Sequence, residues 1–242
     1  MNATQDCIVL LGDSLTEISW APGGLAQRLA ENYVRKLHVI NLGLSGYNSE
    51  WAIPVFEQLL SKKEEQQYPY LRHAVSLSAV QSNLRRLVNM VKSPESPYYS
   101  PSTRVVLITP PPVNTHQWAE FQQSQDPPRE QDRDNDKARQ YADAVKEVGA
   151  MDGIPVVDVY TPLWEAAGQN ERTLSKYLSD GLHLNADGYS FVYDGLLKVI
   201  ADNYPEILPD KLNTVFEIWE PLGASDKPLE MLDKRSIFPS GK

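Results

Sequence analysis

Four short apolar runs are spaced along the chain, and each has the length of a strand buried on both faces. They predict strands near residues 7–12, 37–42, 104–109 and 154–160. Continuous apolar runs of this length are typical of parallel strands that are covered by helices on both sides. The third run stops at three consecutive prolines, which cannot donate to a β-ladder.

Between these runs, apolar residues recur every three or four positions, which is the period of an amphipathic helix. Helices are predicted over residues 25–34 and 49–60, and Asn48 can cap the second of them. Strands that alternate with helices predict a parallel α/β sheet with right-handed crossovers. Three further helical faces are formed by Val80, Leu84, Leu87, Val88 and Val91, by Ala138, Tyr141, Ala142, Val145 and Val148, and by Tyr189, Val192, Tyr193, Leu196 and Ile200.

Composition favours one folded unit. Hydrophobic residues make up 41% of the 242 positions and charged residues 23%, which is ordinary for a globular chain that buries a core. We therefore expect a single domain over residues 1–242, with a proline-punctuated tail from about residue 205 that wraps the body. The stretch Glu120–Asp136 is rich in Gln, Asp and Pro, and it is predicted to be a mobile loop.

Charge and cysteine content exclude several classes of function. With 23 basic and 32 acidic residues the net charge is −9, which disfavours nucleic acid and anionic membranes as partners. Cys7 is the single cysteine, so neither an intrachain disulfide nor a thiolate metal cluster can form. No signal-peptide core and no run of roughly 20 apolar residues is present, so we expect a cytoplasmic protein without a membrane span.

A serine directly after the first predicted strand is the candidate nucleophile. Gly12, Asp13, Ser14 and Leu15 follow the apolar run, and parallel sheets bind ligands beyond the carboxyl ends of their strands. Ser14 could instead be only the N-cap of a short helix, which is the commoner use of such a serine. The G-x-S-x-G turn of ordinary α/β-hydrolases is absent from the sequence, so that family is excluded.

One of the four histidines has a carboxylate at a useful spacing. Asp180 lies three residues before His183 in a glycine-containing loop that precedes the last helix. In a tight turn the carboxylate can accept from imidazole Nδ1–H and leave Nε2 as a general base. The alternative is an Asx turn beside a helix-flanking histidine. His38 lies within a predicted strand, and His73 and His116 lie in polar, loop-like sequence without an orienting acid.

Glycines after the second predicted strand complete the candidate site. Gly43 and Gly46 flank Ser45, and residues without a side chain let backbone N–H groups approach a ligand closely. The N–H of Gly46 could therefore help to bind an oxyanion, although a flexible turn before the next helix is the simpler interpretation of the pattern.

Taken in order, these segments resemble the SGNH (GDSL) hydrolase superfamily. Gly12–Leu15 resembles its first block, Gly46 its second and Asp180–His183 its last. The resemblance implies a three-layer α/β/α sandwich around a parallel sheet, with Ser14, His183 and Asp180 as the catalytic triad, Ser14 and Gly46 as backbone oxyanion donors, and no metal or cofactor. Further segments resemble the isoamyl acetate-hydrolysing esterase branch: Gly12–Glu17, Gly43–Asn48, Ile108–Pro112, Gln140–Asp143 and Ile218–Glu220.

The sequence departs from the family at the third block. In the family a central strand ends in Gly-x-Asn-Asp, whose asparagine is the third oxyanion donor. Residues 64–77 contain no asparagine and no apolar run, and they include Pro69. We therefore expect the central strand to be missing, through the loss of roughly 20 residues, the size of one strand plus a loop. The sheet would then have four strands.

The expected function is hydrolysis of small-molecule, short-chain acyl (acetate-type) esters through an acyl-enzyme, impaired by the loss of the asparagine. Two alternatives remain open at this point. The first is a non-catalytic pseudo-enzyme or truncated isoform of such an esterase. The second is a carbohydrate O-deacetylase, for which Trp20 and Trp51 lie near the relevant loops in the sequence.

Overall fold

The protein forms an α/β fold around a parallel sheet. Its structure, a computed structural model, describes residues 6–60, 62, 70–75 and 81–239. The described strands are β1 (Cys7–Gly12), β2 (His38–Gly43), β3 (Tyr70–Val75), β4 (Val105–Ile108) and β5 (Val156–Val157). They form a five-stranded sheet in the order β2-β1-β3-β4-β5, with every neighbouring pair parallel.

The central strand is present, so the prediction of a four-stranded sheet was wrong. β3 pairs with β1, where Tyr70 lies opposite Cys7, and with β4, where Arg72 lies opposite Val105. Pro69 precedes the first residue of the strand, so no ladder hydrogen bond within Tyr70–Val75 requires a proline N–H. The apolar pattern failed here because this short strand includes Arg72 and His73, both within the residues that pair.

The other predicted strands are found close to their expected bounds, except for the last. The structure confirms β1 at residues 7–12, and it shifts β2 by one residue. The run at 154–160 contributes only Val156–Val157 to the sheet, because a helix already begins at Tyr160.

Helices cover both faces of the sheet. The described helices are α1 (Ser14–Glu17), α2 (Leu25–Asn32), α3 (Ser49–Leu59), α4 (Gln81–Lys92), α5 (Thr115–Gln123), α6 (Asn135–Asp152), α7 (Tyr160–Ala166), α8 (Ala186–Asn203) and α9 (Trp219–Gly223). Asn48 caps α3 as predicted, accepting from the N–H of Trp51 at 2.9 Å.

Alternate residues of β1 supply the two halves of the core. Ile8 and Leu10 pack on the side that holds α2, α7 and α8, whereas Val9 and Leu11 pack on the side that holds α3, α4 and α6. Strands buried on both faces therefore explain the continuous apolar runs. The result is a helix–sheet–helix sandwich. Because the strands are parallel, their carboxyl ends all lie at the same edge of the sheet.

The segment after residue 205 packs on the α2 side of the sheet. Ile207, Leu212, Val215 and Ile237 are buried in the core on this side. Hydrogen bonds fix the path: Tyr33 Oη donates to the carbonyl of Ile207 at 2.9 Å, and the N–H of Val215 donates to the carbonyl of Arg35 at 2.8 Å. Among the described residues, no helix is long and apolar enough to cross a membrane.

Candidate active site

The turn after β1 places Ser14 at the first position of α1. Asp13 is the residue that caps this helix, because its side chain accepts from the N–H of Leu15 at 2.9 Å. The capping role considered for Ser14 therefore belongs to its neighbour. Burial raises the pKa of Asp13 above its usual range, and the hydrogen bond from Leu15 partly offsets this effect. Tyr189 Oη secures the same turn by donating to the carbonyl of Leu15 at 2.6 Å.

The loop before α8 holds an aspartate and a histidine in contact. Asp180 Oδ1 accepts from the backbone N–H groups of Leu182 and His183 at 2.9 and 2.8 Å. Asp180 Oδ2 lies 2.6 Å from His183 Nδ1. The Asx turn and the acid–base pair, weighed as alternatives from the sequence, are therefore both present and use the two oxygens of one carboxylate.

Gly181 makes this tight loop possible. Its φ of +98° is a conformation that side chains rarely adopt, and a Cβ atom there would lie 2.4 Å from the backbone nitrogen of Trp118. The loop therefore packs directly against the start of α5, so a side chain at this position would clash with the backbone there.

Ser14 and His183, which are far apart in the sequence, are in contact. Ser14 Oγ lies 2.9 Å from His183 Nε2, although the two residues are 169 positions apart in the sequence. Since the ionised carboxylate can only accept, Nδ1 carries the proton that it shares with Asp180, and Nε2 is free to accept from the serine hydroxyl. Asp180, His183 and Ser14 thus form one continuous hydrogen-bonded chain.

The pKa of Asp180 is lowered in this arrangement. Burial of the carboxyl opposes ionisation, but hydrogen bonds from the His183 side chain and from the N–H groups of His183 and Leu182 outweigh it. The carboxylate is therefore ionised at neutral pH and can accept the Nδ1 proton of His183.

Trp118 forms one wall of the site. It is 6% exposed, and its ring meets that of His183 edge-on, with centroids 6.2 Å apart. Its Nε1 donates to Asp132 Oδ1 at 2.8 Å, and Arg133 lies over its ring at 5.6 Å. The start of the predicted loop Glu120–Asp136 belongs to α5. Asp132 and Arg133, later in the same stretch, are the residues that contact Trp118. No pattern in the sequence linked these residues to His183.

The two backbone N–H groups predicted to bind an oxyanion, those of Ser14 and Gly46, belong to residues that line one cavity. Ser14 N–H lies in the first turn of α1, where no intrahelical acceptor exists. Gly46 lies in the loop between β2 and α3 with φ of +78°. Within the described chain, neither N–H donates to an acceptor, and both residues line the same cavity.

The asparagine that the resemblance implies as a third oxyanion donor is missing from the sequence around β3. Residues 76–80, which follow β3, lie outside the described residues, and residues 64–80 contain no asparagine. Asn83, in the next helix, donates to Ser49 Oγ at 3.1 Å instead.

A cavity of about 460 Å³ opens above Ser14. This volume lies in the range of pockets that bind small ligands. Its lining is mixed: apolar surface comes from Pro110, Pro111 and Val113, and polar groups come from the α6 side. The arrangement can hold a small molecule with its carbonyl carbon at Ser14 Oγ and its carbonyl oxygen near the two N–H groups.

The remaining histidines lie elsewhere in the fold. His38 is exposed at the start of β2, and His116 Nδ1 lies 3.3 Å from the guanidinium of Arg172. His73 lies within β3 rather than in a loop. Within the described ranges, no group of three or more His, Cys, Asp and Glu residues is arranged to hold a metal ion.

A family model matches most of the chain. Residues 10–191 match the model described as the GDSL-like Lipase/Acylhydrolase family. The chain belongs to this family. The matched range contains Ser14, Asp180 and His183, and the resemblance predicted from the three motifs is confirmed.

Curated relatives of this GDSL-family chain are named esterases. The Homo sapiens "Isoamyl acetate-hydrolyzing esterase 1 homolog" is 31% identical over 84% of this chain and 85% of the relative. The Saccharomyces cerevisiae "Isoamyl acetate-hydrolyzing esterase" is 26% identical over 87% of this chain and 92% of the relative. The family and the names of these relatives place the chain among carboxylic ester hydrolases.

Solved structures with the same fold include two esterase-type proteins of low sequence identity. A lipolytic G-D-S-L family protein from Veillonella parvula matches with a TM-score of 0.58 and 16% identity, over 81% of this chain and 98% of that one. The acetyl xylan esterase AlAXEase matches with a TM-score of 0.58 and 14% identity, over 80% and 98%. At such identities the likeness concerns the fold alone.

Proposed function

We propose that this chain is a serine esterase that hydrolyses short-chain acyl esters through an acyl-enzyme. The observation that carries the proposal is the unbroken chain from Asp180 Oδ2 through His183 to Ser14 Oγ, with contacts of 2.6 and 2.9 Å. Nucleophile, base and orienting acid within hydrogen-bond reach are the geometric signature of a triad.

In the first half-reaction, Ser14 Oγ attacks the ester carbonyl carbon while His183 Nε2 takes the hydroxyl proton. The carbonyl oxygen becomes an oxyanion that accepts hydrogen bonds from the N–H groups of Ser14 and Gly46. His183 then donates its Nε2 proton to the leaving alcohol, and the acyl group stays on Ser14. Asp180 holds the imidazole in the required tautomer and stabilises its charge.

In the second half-reaction, water replaces the alcohol. His183 Nε2 takes a proton from the water, whose oxygen attacks the acyl carbon, and the collapse of the second tetrahedral species returns the proton to Ser14 Oγ. The acid is released. Every proton transfer uses a group of this chain, so the scheme requires no metal or cofactor.

The cavity and the relatives support the proposed substrate class. A space of about 460 Å³ suits a small ester. The yeast relative is named for isoamyl acetate, so we take acetate esters of small alcohols as the first substrates to examine. With two backbone donors and no asparagine in residues 64–80, we further propose that turnover is slower than in relatives with a complete oxyanion hole.

The proposal is tested with p-nitrophenyl acetate, followed by intact-mass analysis after treatment with a fluorophosphonate. We expect steady hydrolysis and a single adduct that maps to Ser14. Absence of both, in protein with a cooperative thermal transition, would favour the non-catalytic pseudo-enzyme.

An aromatic pair at the cavity favours a carbohydrate O-deacetylase as the second candidate. Tyr47 lines the cavity, and its ring meets that of Trp51 edge-on with centroids 6.1 Å apart. Trp51 is 57% exposed, as a platform for a sugar ring would be. A kcat/KM for acetylated xylo-oligosaccharides above that for isoamyl acetate would decide for this candidate.

A further inference from the structure

We propose that Glu17 is a positioning residue that holds the Gly46 N–H in place beside the Ser14 N–H. The inference rests on the proposed esterase function, because it concerns the oxyanion hole of that reaction. Glu17 is the last residue of α1, the helix that begins with Ser14, and its carboxylate Oε2 accepts from the backbone N–H of Ser45 at 2.7 Å.

The two oxyanion donors come from separate segments, so something must fix their relative position. Ser14 follows β1, whereas Gly46 follows β2. One backbone bond joins the segments near their strands, from the N–H of Leu44 to the carbonyl of Gly12 at 2.9 Å. The bond from Ser45 to Glu17 is the next connection along the loop, and it is made by the residue directly before Gly46.

Packing does not hold Gly46 itself, although the ring of the next residue, Tyr47, contacts that of Trp51. Ser45, Gly46 and Tyr47 are all exposed, and a Cβ atom added at Gly46 would meet nothing within 4 Å. Within the loop, the N–H of Tyr47 donates to the carbonyl of Leu44 at 3.1 Å. Hydrogen bonds therefore determine where the Gly46 N–H points, and the one to Glu17 ties it to the nucleophile's own helix.

Hydrogen bonds of a side chain also fix the base of the loop against α1. Asn41 Nδ2 donates to the carbonyl of Thr16 at 2.7 Å, and Asn41 Oδ1 accepts from the N–H of Gly43 at 2.9 Å. A Cβ atom on Gly43 would lie 2.1 Å from the backbone nitrogen of Glu17, so only glycine permits this approach. α1 and the end of β2 thus form one unit, and Glu17 extends it to the loop tip.

The contribution of Glu17 is geometric rather than electrostatic. A carboxylate this close to the loop opposes the negative charge that develops on the substrate oxygen, so its charge alone would slow the reaction. As a hydrogen-bond acceptor, in contrast, the carboxylate oxygen holds the loop and thereby positions the Gly46 N–H. Displacement of such a donor by about 1 Å can lower the rate a hundredfold. Glutamine can still accept from the N–H of Ser45, whereas the methionine thioether is only a weak acceptor and the alanine side chain accepts nothing.

The experiment compares Glu17→Ala, Glu17→Met and Glu17→Gln with the wild-type chain on p-nitrophenyl acetate. Glu50→Ala is the matched control, because this exposed glutamate at the start of α3 makes no hydrogen bond to any described residue. The readouts are kcat, KM, Tm and the inhibition constant of phenylboronic acid, which forms a tetrahedral anion on a catalytic serine.

We expect kcat to fall about 10- to 100-fold in Glu17→Ala and Glu17→Met, with KM within about threefold. Inhibition by phenylboronic acid should weaken by a similar factor, while Tm stays constant and Glu17→Gln retains most of kcat. Methionine keeps the side-chain length, so it remains informative if the alanine variant is unstable.

Three results would overturn the inference. They are an unchanged kcat in Glu17→Met, a loss in Glu17→Gln as large as in Glu17→Met, and a fall in activity matched by Glu50→Ala. An active wild type with any of these results refutes the role of Glu17 alone. A wild-type chain that neither hydrolyses esters nor binds the boronic acid refutes the proposed function as well.

Discussion

The two halves of the candidate site are built in different ways. The triad half consists of side chains that are braced from several directions: Asp180 by two backbone N–H groups, and His183 by Asp180 and the edge of Trp118. The oxyanion half consists of backbone N–H groups, one of them on an exposed loop tip. The chemistry of the first half can be recognised from residue types, whereas that of the second depends on how the loop is held.

Of the changes considered in the two halves, Ser14→Ala should have the largest effect on kcat. Removing the nucleophile should lower kcat about 10⁶-fold, the loss typical of a triad serine, because no other group can form the acyl-enzyme. Tm should change little, since a hydroxyl in a turn contributes little to the core. Ser190→Ala on α8 is the control, because that hydroxyl bonds only to its own helix. Activity near the wild-type level would refute the assignment of Ser14.

Asp180→Asn should give the next largest loss. The amide can keep the hydrogen bonds from Leu182 and His183, but it donates where the carboxylate accepted, so the imidazole takes the wrong tautomer. We expect kcat to fall about 10⁴-fold with KM nearly constant. A loss below about tenfold, measured with the same ester, would show that Asp180 does not orient His183.

The oxyanion half should limit the rate to a smaller degree. A family member that carries the Gly-x-Asn-Asp block should exceed this chain in kcat on the same ester by about 10²–10³, the contribution of one oxyanion donor. Side-by-side kinetics on p-nitrophenyl acetate measure the difference. Equal kcat values would show that another group of this chain supplies the third hydrogen bond.

The smallest expected effect is on stability and depends on pH. The folded pKa of Asp180 is below its ordinary value, so its ionised form stabilises the native state above the unfolded pKa of about 3.9. This stabilisation is lost as the pH falls through the folded pKa. As the pH is lowered from 7 to 3, the Tm of the wild type should therefore fall relative to the Tm of Asp180→Asn. A difference that is independent of pH would contradict the contacts of this carboxylate.

Sequence patterns were sufficient for the parts of the fold that bury continuous apolar runs. β1 was placed at its residues, and the motifs around Ser14 and His183 led to the family. β3 was missed because Arg72 and His73 interrupt its apolar character, although the sheet pairs it on both sides. In a strand of six residues, pairing with neighbours decides the structure more than its own composition.

The contacts that brace the site were less accessible from the sequence. The bond between Glu17 and Ser45 joins residues 28 positions apart, and the residues around Trp118 read as a polar excursion. Nothing in residue type distinguishes such an acceptor from any other exposed glutamate. These features depend on which segments the sheet order brings together. The sequence patterns predicted no strand order, and they predicted one strand too few.

The separation of 169 residues between Ser14 and His183 has a consequence for how the chain acquires activity. During synthesis the proposed nucleophile, Ser14, emerges first, and its proposed base, His183, follows only 169 residues later. Contacts of such long range form late in folding, since the intervening chain must be ordered before its ends can meet. We therefore expect ester hydrolysis to begin only after α8 and the loop before it have docked, so the onset of activity would report a late stage of folding.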